Sequence, residues 1–64
     1  MNKLKLKGAI AEKGITQGKL AEILEMSQKT LSNKINGKSI FTVPEAHKIC
    51  DTLNIENPRE IFFT

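Results

Sequence analysis

The stretch from Thr16 to Gly37 constrains the fold of this chain more than any other part of its sequence. It contains two short segments with apolar residues at helical spacing, and each begins at a hydroxyl residue suited to cap a helix, Thr16 and Ser27. Gly37 follows the second segment and can take the left-handed conformation that ends a helix. The sequence therefore predicts two helices joined by a tight turn, with Met26 in the turn.

The buried faces of these two helices follow from their apolar side chains. Leu20, Ala21 and Leu24 form a narrow stripe on the first helix, and Leu31 and Ile35 lie four positions apart on the second. With these residues inside, the second helix turns short polar and basic side chains outward. A helix of this kind, supported from behind by another, has the shape and chemistry needed to enter the major groove of DNA.

Helical patterns also account for the rest of the chain. The first segment alternates leucine and lysine like a strand, but its later apolar residues fit a helix, and we predict one from Lys3 to Glu12. Thr42-Val43-Pro44-Glu45 is a capping box with proline in the first turn, and Asn57-Pro58-Arg59-Glu60 repeats that start signal before a short terminal helix. We expect an all-α fold of five short helices in a single domain, residues 1–64. The fourth helix has the clearest apolar face, made of Val43, Ala46, Ile49, Cys50 and Leu53.

Size and composition limit what can stabilise such a fold. The chain has 64 residues, and its one cysteine and one histidine cannot form an internal disulfide or a four-ligand zinc site. Ten Lys and Arg against seven Asp and Glu give a net charge of +3, which favours anionic partners. We expect a basic face because the lysines cluster in the first segment and around the second helix of the pair, at Lys3, Lys5, Lys7, Lys13, Lys29, Lys34 and Lys38.

The sequence shows no sign of membrane insertion or secretion. No apolar run approaches the roughly 18 residues needed to cross a bilayer, and the N-terminus lacks the apolar core of a signal peptide. The lone Cys50 fits a reducing compartment. We expect a cytoplasmic protein without membrane contact.

The residues that could indicate an enzyme have simpler interpretations. His47 lies off the apolar face of its helix and is expected in solvent, whereas Cys50 lies on that face, where a small buried thiol is usual. No third polar partner accompanies this pair, and the sequence has no Gly-rich phosphate loop. We therefore expect neither enzymatic activity nor a metal, a cofactor or a small-molecule ligand.

The outward face of the second helix supplies candidate side chains for reading DNA. The amides of Gln28 and Asn33 donate and accept at once, which suits the edge of adenine, and Lys29 can reach guanine. The serines beside them are small enough to allow close approach. The predicted base-reading residues are Ser27, Gln28, Lys29, Ser32 and Asn33.

A second group is predicted to hold the phosphate backbone without reading sequence. Gln17 lies in the first turn of its helix, where free N–H groups and the helix dipole favour anions. The other predicted phosphate contacts lie at or just beyond the end of the next helix: Lys34, Asn36, Lys38 and Ser39.

One set of residues shares its order and spacing with a known family: Thr16-Gln17, Leu20-Ala21, Met26-Ser27, Thr30-Leu31-Ser32 and Asn36-Gly37-Lys38. The set resembles the helix-turn-helix of the Cro/repressor (XRE) regulators of bacteria and phages, and the resemblance extends over about the whole chain. It implies a lambda-repressor-like DNA-binding domain with its motif at about residues 16–37. It also implies a small Cro-like phage repressor that binds a double-stranded DNA operator as a homodimer, in a bacterial or phage-infected cell. Two residues depart from the family pattern: Glu25 stands where glycine is usual, and Lys34 where an apolar residue is usual.

The main alternative is a protein-interaction module on the same scaffold, similar to an antitoxin or an anti-repressor. The apolar end Ile61-Phe62-Phe63 supports it if exposed, although the same residues can close the core of so small a domain. We expect Phe62 inside, with Ile55 and Phe63 facing a second subunit. The residues alone are compatible with any operator sequence and with either a repressor or an activator. They also fit either a whole regulator or part of a longer one.

Overall fold

The computed structural model describes residues 1–62, and over that range it contains five α-helices and no strand. This confirms the predicted all-α fold, with the first helix one residue longer than expected. The helices are α1 (Lys3–Lys13), α2 (Gln17–Ile23), α3 (Gln28–Ile35), α4 (Val43–Leu53) and α5 (Arg59–Phe62).

Side-chain caps determine where the helices begin. Thr16 Oγ1 accepts a hydrogen bond from the backbone N–H of Lys19 at 3.0 Å, and Ser27 Oγ accepts one from Thr30 at 3.1 Å. Such caps satisfy N–H groups that have no partner within the helix, and each is worth about 1 kcal/mol. Both caps, and with them the starts of α2 and α3, were predicted from the sequence.

The fourth helix begins with the predicted capping box. Glu45 N–H donates to Thr42 Oγ1 at 3.3 Å, and Glu45 Oε1 accepts from the Thr42 N–H at 2.9 Å. This reciprocal pair fixes the path of the chain into α4. It also places the Glu45 carboxylate next to the end of α3.

A tight turn of four residues, Leu24 to Ser27, joins α2 to α3, and Glu25 and Met26 lie at its centre. Glu25 has a φ of 57°, a left-handed conformation that is unusual for a residue with a side chain. The turn is closed by a hydrogen bond from the Met26 N–H to the Ala21 carbonyl at 3.0 Å. The chain thus makes this turn with a glutamate where the family it resembles usually has glycine, at a cost in backbone strain.

One apolar cluster connects all five helices. Helix α1 packs against α4 and α5, while α2 packs against α3. The buried members of the cluster are Leu6, Ile10, Leu20, Ala21, Leu31, Ile35, Ile49, Leu53 and Ile61. So small a core needs an apolar contribution from every helix. Leu31 and Ile35 pack the inner side of α3 into this cluster.

The predicted apolar face of α4 is correct except at its first residue. Val43 is 64% exposed, because it lies in the first turn, beyond the helices that cover the rest of that face. Ile49, Cys50 and Leu53 are buried as expected.

The last helix closes the core. Ile61 is buried and Phe62 is half-buried against the same cluster, so Ile61 does not belong to an exposed apolar end. The Phe62 ring meets that of Phe41 edge-on, with ring centres 5.8 Å apart, so Phe41 anchors the loop before α4. The backbone N–H of Asn2 donates to the Ile61 carbonyl at 2.6 Å. Phe63 lies outside the described residues.

No helix within residues 1–62 is long and apolar enough to cross a membrane.

Candidate nucleic-acid interface

Helix α3 presents a polar face on a fixed support. Leu31 and Ile35 are almost completely buried and hold the inner side of the helix against the core. The first turn of the outer side is exposed at Ser27, Gln28 and Lys29. The structure therefore brings the leading end of α3 to the surface, as the predicted base-reading role requires.

The other two predicted base-reading residues lie one turn further along α3. Ser32 and Asn33 are half-buried, so they border the exposed patch and do not stand at its centre. The Asn36 side-chain amide donates to Ser32 Oγ at 3.3 Å, which links this part of α3 to the residue that ends it.

Ser27 has a structural role that limits its hydroxyl. Its Oγ caps α3 and also donates to Thr30 Oγ1 at 2.9 Å. The hydroxyl has therefore used its only hydrogen within the protein. In this conformation Ser27 offers DNA a small exposed side chain and a remaining acceptor.

The side chain of Gln28 extends from α3 to the first turn of α2. Its amide group occupies the space that a side chain at Gly18 would enter, since a methyl group built on Gly18 would lie 2.8 Å from Gln28 Nε2. Gln17, next to Gly18, is half-buried at the start of α2. Sequence reasoning did not identify Gly18, because a glycine ten residues from a glutamine shows no pattern in the sequence.

Three of the predicted phosphate contacts cluster after α3. Asn36, Lys38 and Ser39 are all exposed, on either side of Gly37, whose φ of 82° turns the chain at the end of the helix. The Lys38 N–H donates to the Asn33 carbonyl at 2.8 Å, which fixes this turn against α3. Within residues 1–62, Lys29 and Lys38 form no ion pair, so both carry their charge into solvent.

Lys34 lies in the last turn of α3 as expected, but its charged end is paired within the protein. Its ammonium Nζ is 2.6 Å from Glu45 Oε1 and 5.9 Å from the centre of the Phe41 ring. Only 13% of its side chain is exposed, because the aliphatic part packs inward and the charged end is directed at α4. A neutralised and largely covered ammonium is a poor phosphate ligand, so this geometry does not favour the phosphate contact at Lys34, which stays a prediction.

The ion pair also affects the acid. The hydrogen bond from Lys34, together with the backbone hydrogen bond from Thr42, holds the pKa of the Glu45 carboxyl below its ordinary value. Glu45 therefore remains ionised at neutral pH and keeps Lys34 paired.

The remaining candidates have simple positions. His47 is exposed, and Cys50 is buried, where desolvation raises the pKa of its thiol. Ile55, predicted to face a second subunit, is half-buried and packs against the core from the loop after α4. Phe63, the other residue predicted to face a second subunit, lies outside the described residues.

Comparison with known proteins adds one finding to this geometry. A family model described as a Cro/C1-type HTH DNA-binding domain matches residues 5–63, which is almost the whole chain. No curated protein and no solved structure matches the chain.

Proposed function

The chain belongs to the family of Cro/C1-type HTH DNA-binding domains, which makes it a DNA-binding regulator, and we propose that it is a Cro-like transcriptional repressor. In this proposal two copies bind a two-fold operator with α3 in the major groove. Repression then follows because the bound dimer covers DNA that RNA polymerase needs.

The exposed first turn of α3 is the observation that carries the proposal. Gln28 and Lys29 project from the end of a helix whose inner side is fixed by Leu31 and Ile35. An amide suits the N6 and N7 groups of adenine, and an ammonium suits the O6 and N7 groups of guanine. Ser27, Ser32 and Asn33 border these two residues and complete the proposed base-reading set.

Backbone contacts position the protein on the duplex. We assign them to Gln17 at the start of α2 and to Asn36, Lys38 and Ser39 after α3. Gln17 begins α2, and the other three residues follow the C-terminal end of α3, so the two groups can hold the DNA backbone at separate points while the first turn of α3 enters the groove. Each phosphate neutralised by a lysine releases counterions, and binding therefore weakens steeply as salt rises.

A homodimer would place two copies of α3 on one face of the DNA. Its half-sites would be centred about 34 Å apart, one helical turn of B-DNA. Ile55 and Phe63 are the proposed interface residues. The support for Ile55 is that it is an apolar side chain only half covered by its own chain.

Two substitutions test the proposed roles. Gln28→Ala should change the sequences selected from a random duplex library, because it removes a base contact worth roughly 1–3 kcal/mol of discrimination. Lys38→Ala should weaken binding to every sequence alike and reduce the salt dependence. Equal losses on selected and random DNA for both variants would contradict this division of roles.

A second function, the docking of a protein partner, is favoured by one observation. Ile40, in the loop before α4, and Val43, in its first turn, are 87% and 64% exposed and line one surface groove, where a DNA contact would not need apolar groups. Titration of random duplex at rising salt separates the two functions. A steep loss of affinity supports DNA binding, and no dependence on salt favours the protein partner.

A further inference from the structure

Gly18 leaves room for the side chain that is proposed to read DNA. A methyl group built on its Cα would lie 2.8 Å from Gln28 Nε2 and 3.3 Å from Gln28 Cδ. Real contacts of this kind are almost never so short, so any larger residue at position 18 must displace the Gln28 amide. The same methyl group would lie 3.7 Å from Thr16 Oγ1, an ordinary contact.

We propose that Gly18 is a specificity-determining residue. Because it has no side chain, the Gln28 amide can lie against the first turn of α2. Gln28 is the first residue of α3 and is exposed, so little besides α2 limits the direction of its long side chain. To form two hydrogen bonds with one base at once, the plane of the amide must lie close to the plane of that base. The missing side chain at Gly18 thus determines where that plane lies. This inference rests on the base-reading role proposed for Gln28.

The alternative explanation for Gly18 is backbone conformation, and the structure argues against it. Gly18 lies inside α2, and it is absent from the glycines with positive φ, which within the described chain are Gly14 and Gly37. Gly18 is the second residue of α2, where alanine fits the helical backbone at least as well, since glycine costs up to about 1 kcal/mol in a helix. The backbone therefore gives no reason for a glycine at position 18, whereas the contact with Gln28 does.

Gly18→Ala is the test, and Gly8→Ala is its matched control. Gly8 is also inside a helix, α1, but a methyl group there would meet no described atom within 4 Å. Both substitutions should raise the Tm by a few degrees, because both improve helix propensity. Only Gly18→Ala should change DNA preference.

The preference is measured by selection from a randomised duplex of about two helical turns, roughly 20 base pairs. Discrimination is the ratio of affinities for the preferred base and for the other bases at one position. At the positions where Gln28→Ala reduces this ratio, we expect Gly18→Ala to reduce it about five-fold or more, and Gly8→Ala to leave it unchanged. The double variant Gly18→Ala/Gln28→Ala should lose no more than Gln28→Ala alone, because one side chain carries both effects.

The outcomes separate this inference from the function on which it rests. Wild-type preference in Gly18→Ala, together with altered preference in Gln28→Ala, overturns the role of Gly18 and leaves base reading intact. Unchanged preference in Gln28→Ala removes base reading by Gln28 itself. The side-chain amide signals of Gln28 in NMR give a readout without DNA. They should move in Gly18→Ala and stay in place in Gly8→Ala, and any other result contradicts the contact.

Discussion

The ammonium of Lys34 lies 2.6 Å from the carboxylate of Glu45 and joins the last turn of α3 to the first turn of α4. The two side chains are only 13% and 24% exposed, so water screens their attraction weakly. Glu45 also accepts from the Thr42 N–H, and the Phe41 ring lies beside Lys34. One carboxylate therefore caps α4 and fixes the end of the helix proposed to enter DNA.

Neutralising this carboxylate should destabilise the fold. Glu45→Gln keeps the size of the side chain and its capping oxygen but leaves the covered Lys34 ammonium without a counter-charge. We expect a loss of about 1–2 kcal/mol in the free energy of unfolding, measured by urea denaturation. Glu22→Gln is the control, because Glu22 pairs with Lys19 at 3.9 Å on an open surface and should change stability by less than about 0.5 kcal/mol. Similar losses in the two variants would argue against the importance of the covered pair.

The same pair should make stability sensitive to acid. The pKa of Glu45 is lowered in the folded protein from its ordinary value of 4.5, first by the hydrogen bond from Lys34. A carboxyl with a lowered pKa stabilises the fold above its unfolded pKa, and this contribution disappears as the pH falls through the folded pKa. The wild-type advantage over Glu45→Gln should therefore be full near neutral pH and shrink below about pH 4.5. A gap that stays constant down to about pH 3 would show that Glu45 is not the titrating group.

Relief of the strained turn should stabilise the protein. Glu25→Gly removes the side chain from a left-handed residue, a gain of about 1–2 kcal/mol that the extra freedom of glycine in the unfolded chain partly offsets. We expect a net gain of about 0.5–1 kcal/mol in denaturation experiments. Asn54→Gly is the comparison, since Asn54 has a φ of 55° but asparagine tolerates this conformation. A larger gain at position 54 than at position 25 would contradict the assignment of strain to Glu25.

The thiol of Cys50 should report opening of the core. Burial raises its pKa above the ordinary value of 9.0, and the negative charge of Asp51 adds to the shift, so little thiolate is present at neutral pH. We expect the native protein to react with a thiol reagent such as DTNB roughly ten-fold or more slowly than the urea-unfolded chain. Equal rates in the two states would mean that packing of the core does not shield this side chain of α4.

The elements that could be predicted from the sequence depend on short-range chemistry. A cap needs only a hydroxyl and an N–H group three residues later, so Thr16, Ser27 and Thr42 marked their helices correctly. The buried positions of α3 and most of α4 follow from a spacing of three and four residues. These local signals were sufficient for the all-α fold and for the exposed end of α3.

The details that could not be predicted depend on how helices meet. Lys34 finds its partner eleven residues away, across the junction of two helices, and an isolated lysine in the sequence does not reveal it. Val43 has the correct spacing for the core but lies beyond the helices that would cover it. The contact between Gly18 and Gln28 likewise appears only when α2 and α3 are placed together.

The hydrogen bond between the Asn2 N–H and the Ile61 carbonyl brings the first and last helices side by side. A variant limited to residues 1–62 is therefore suited to circular permutation, since a short Gly/Ser bridge can join Met1 to Phe62 while a new opening is made in the loop between α3 and α4. Such a permuted protein would separate two contributions to the placement of α3, the covalent link to α4 and the packing of side chains around it.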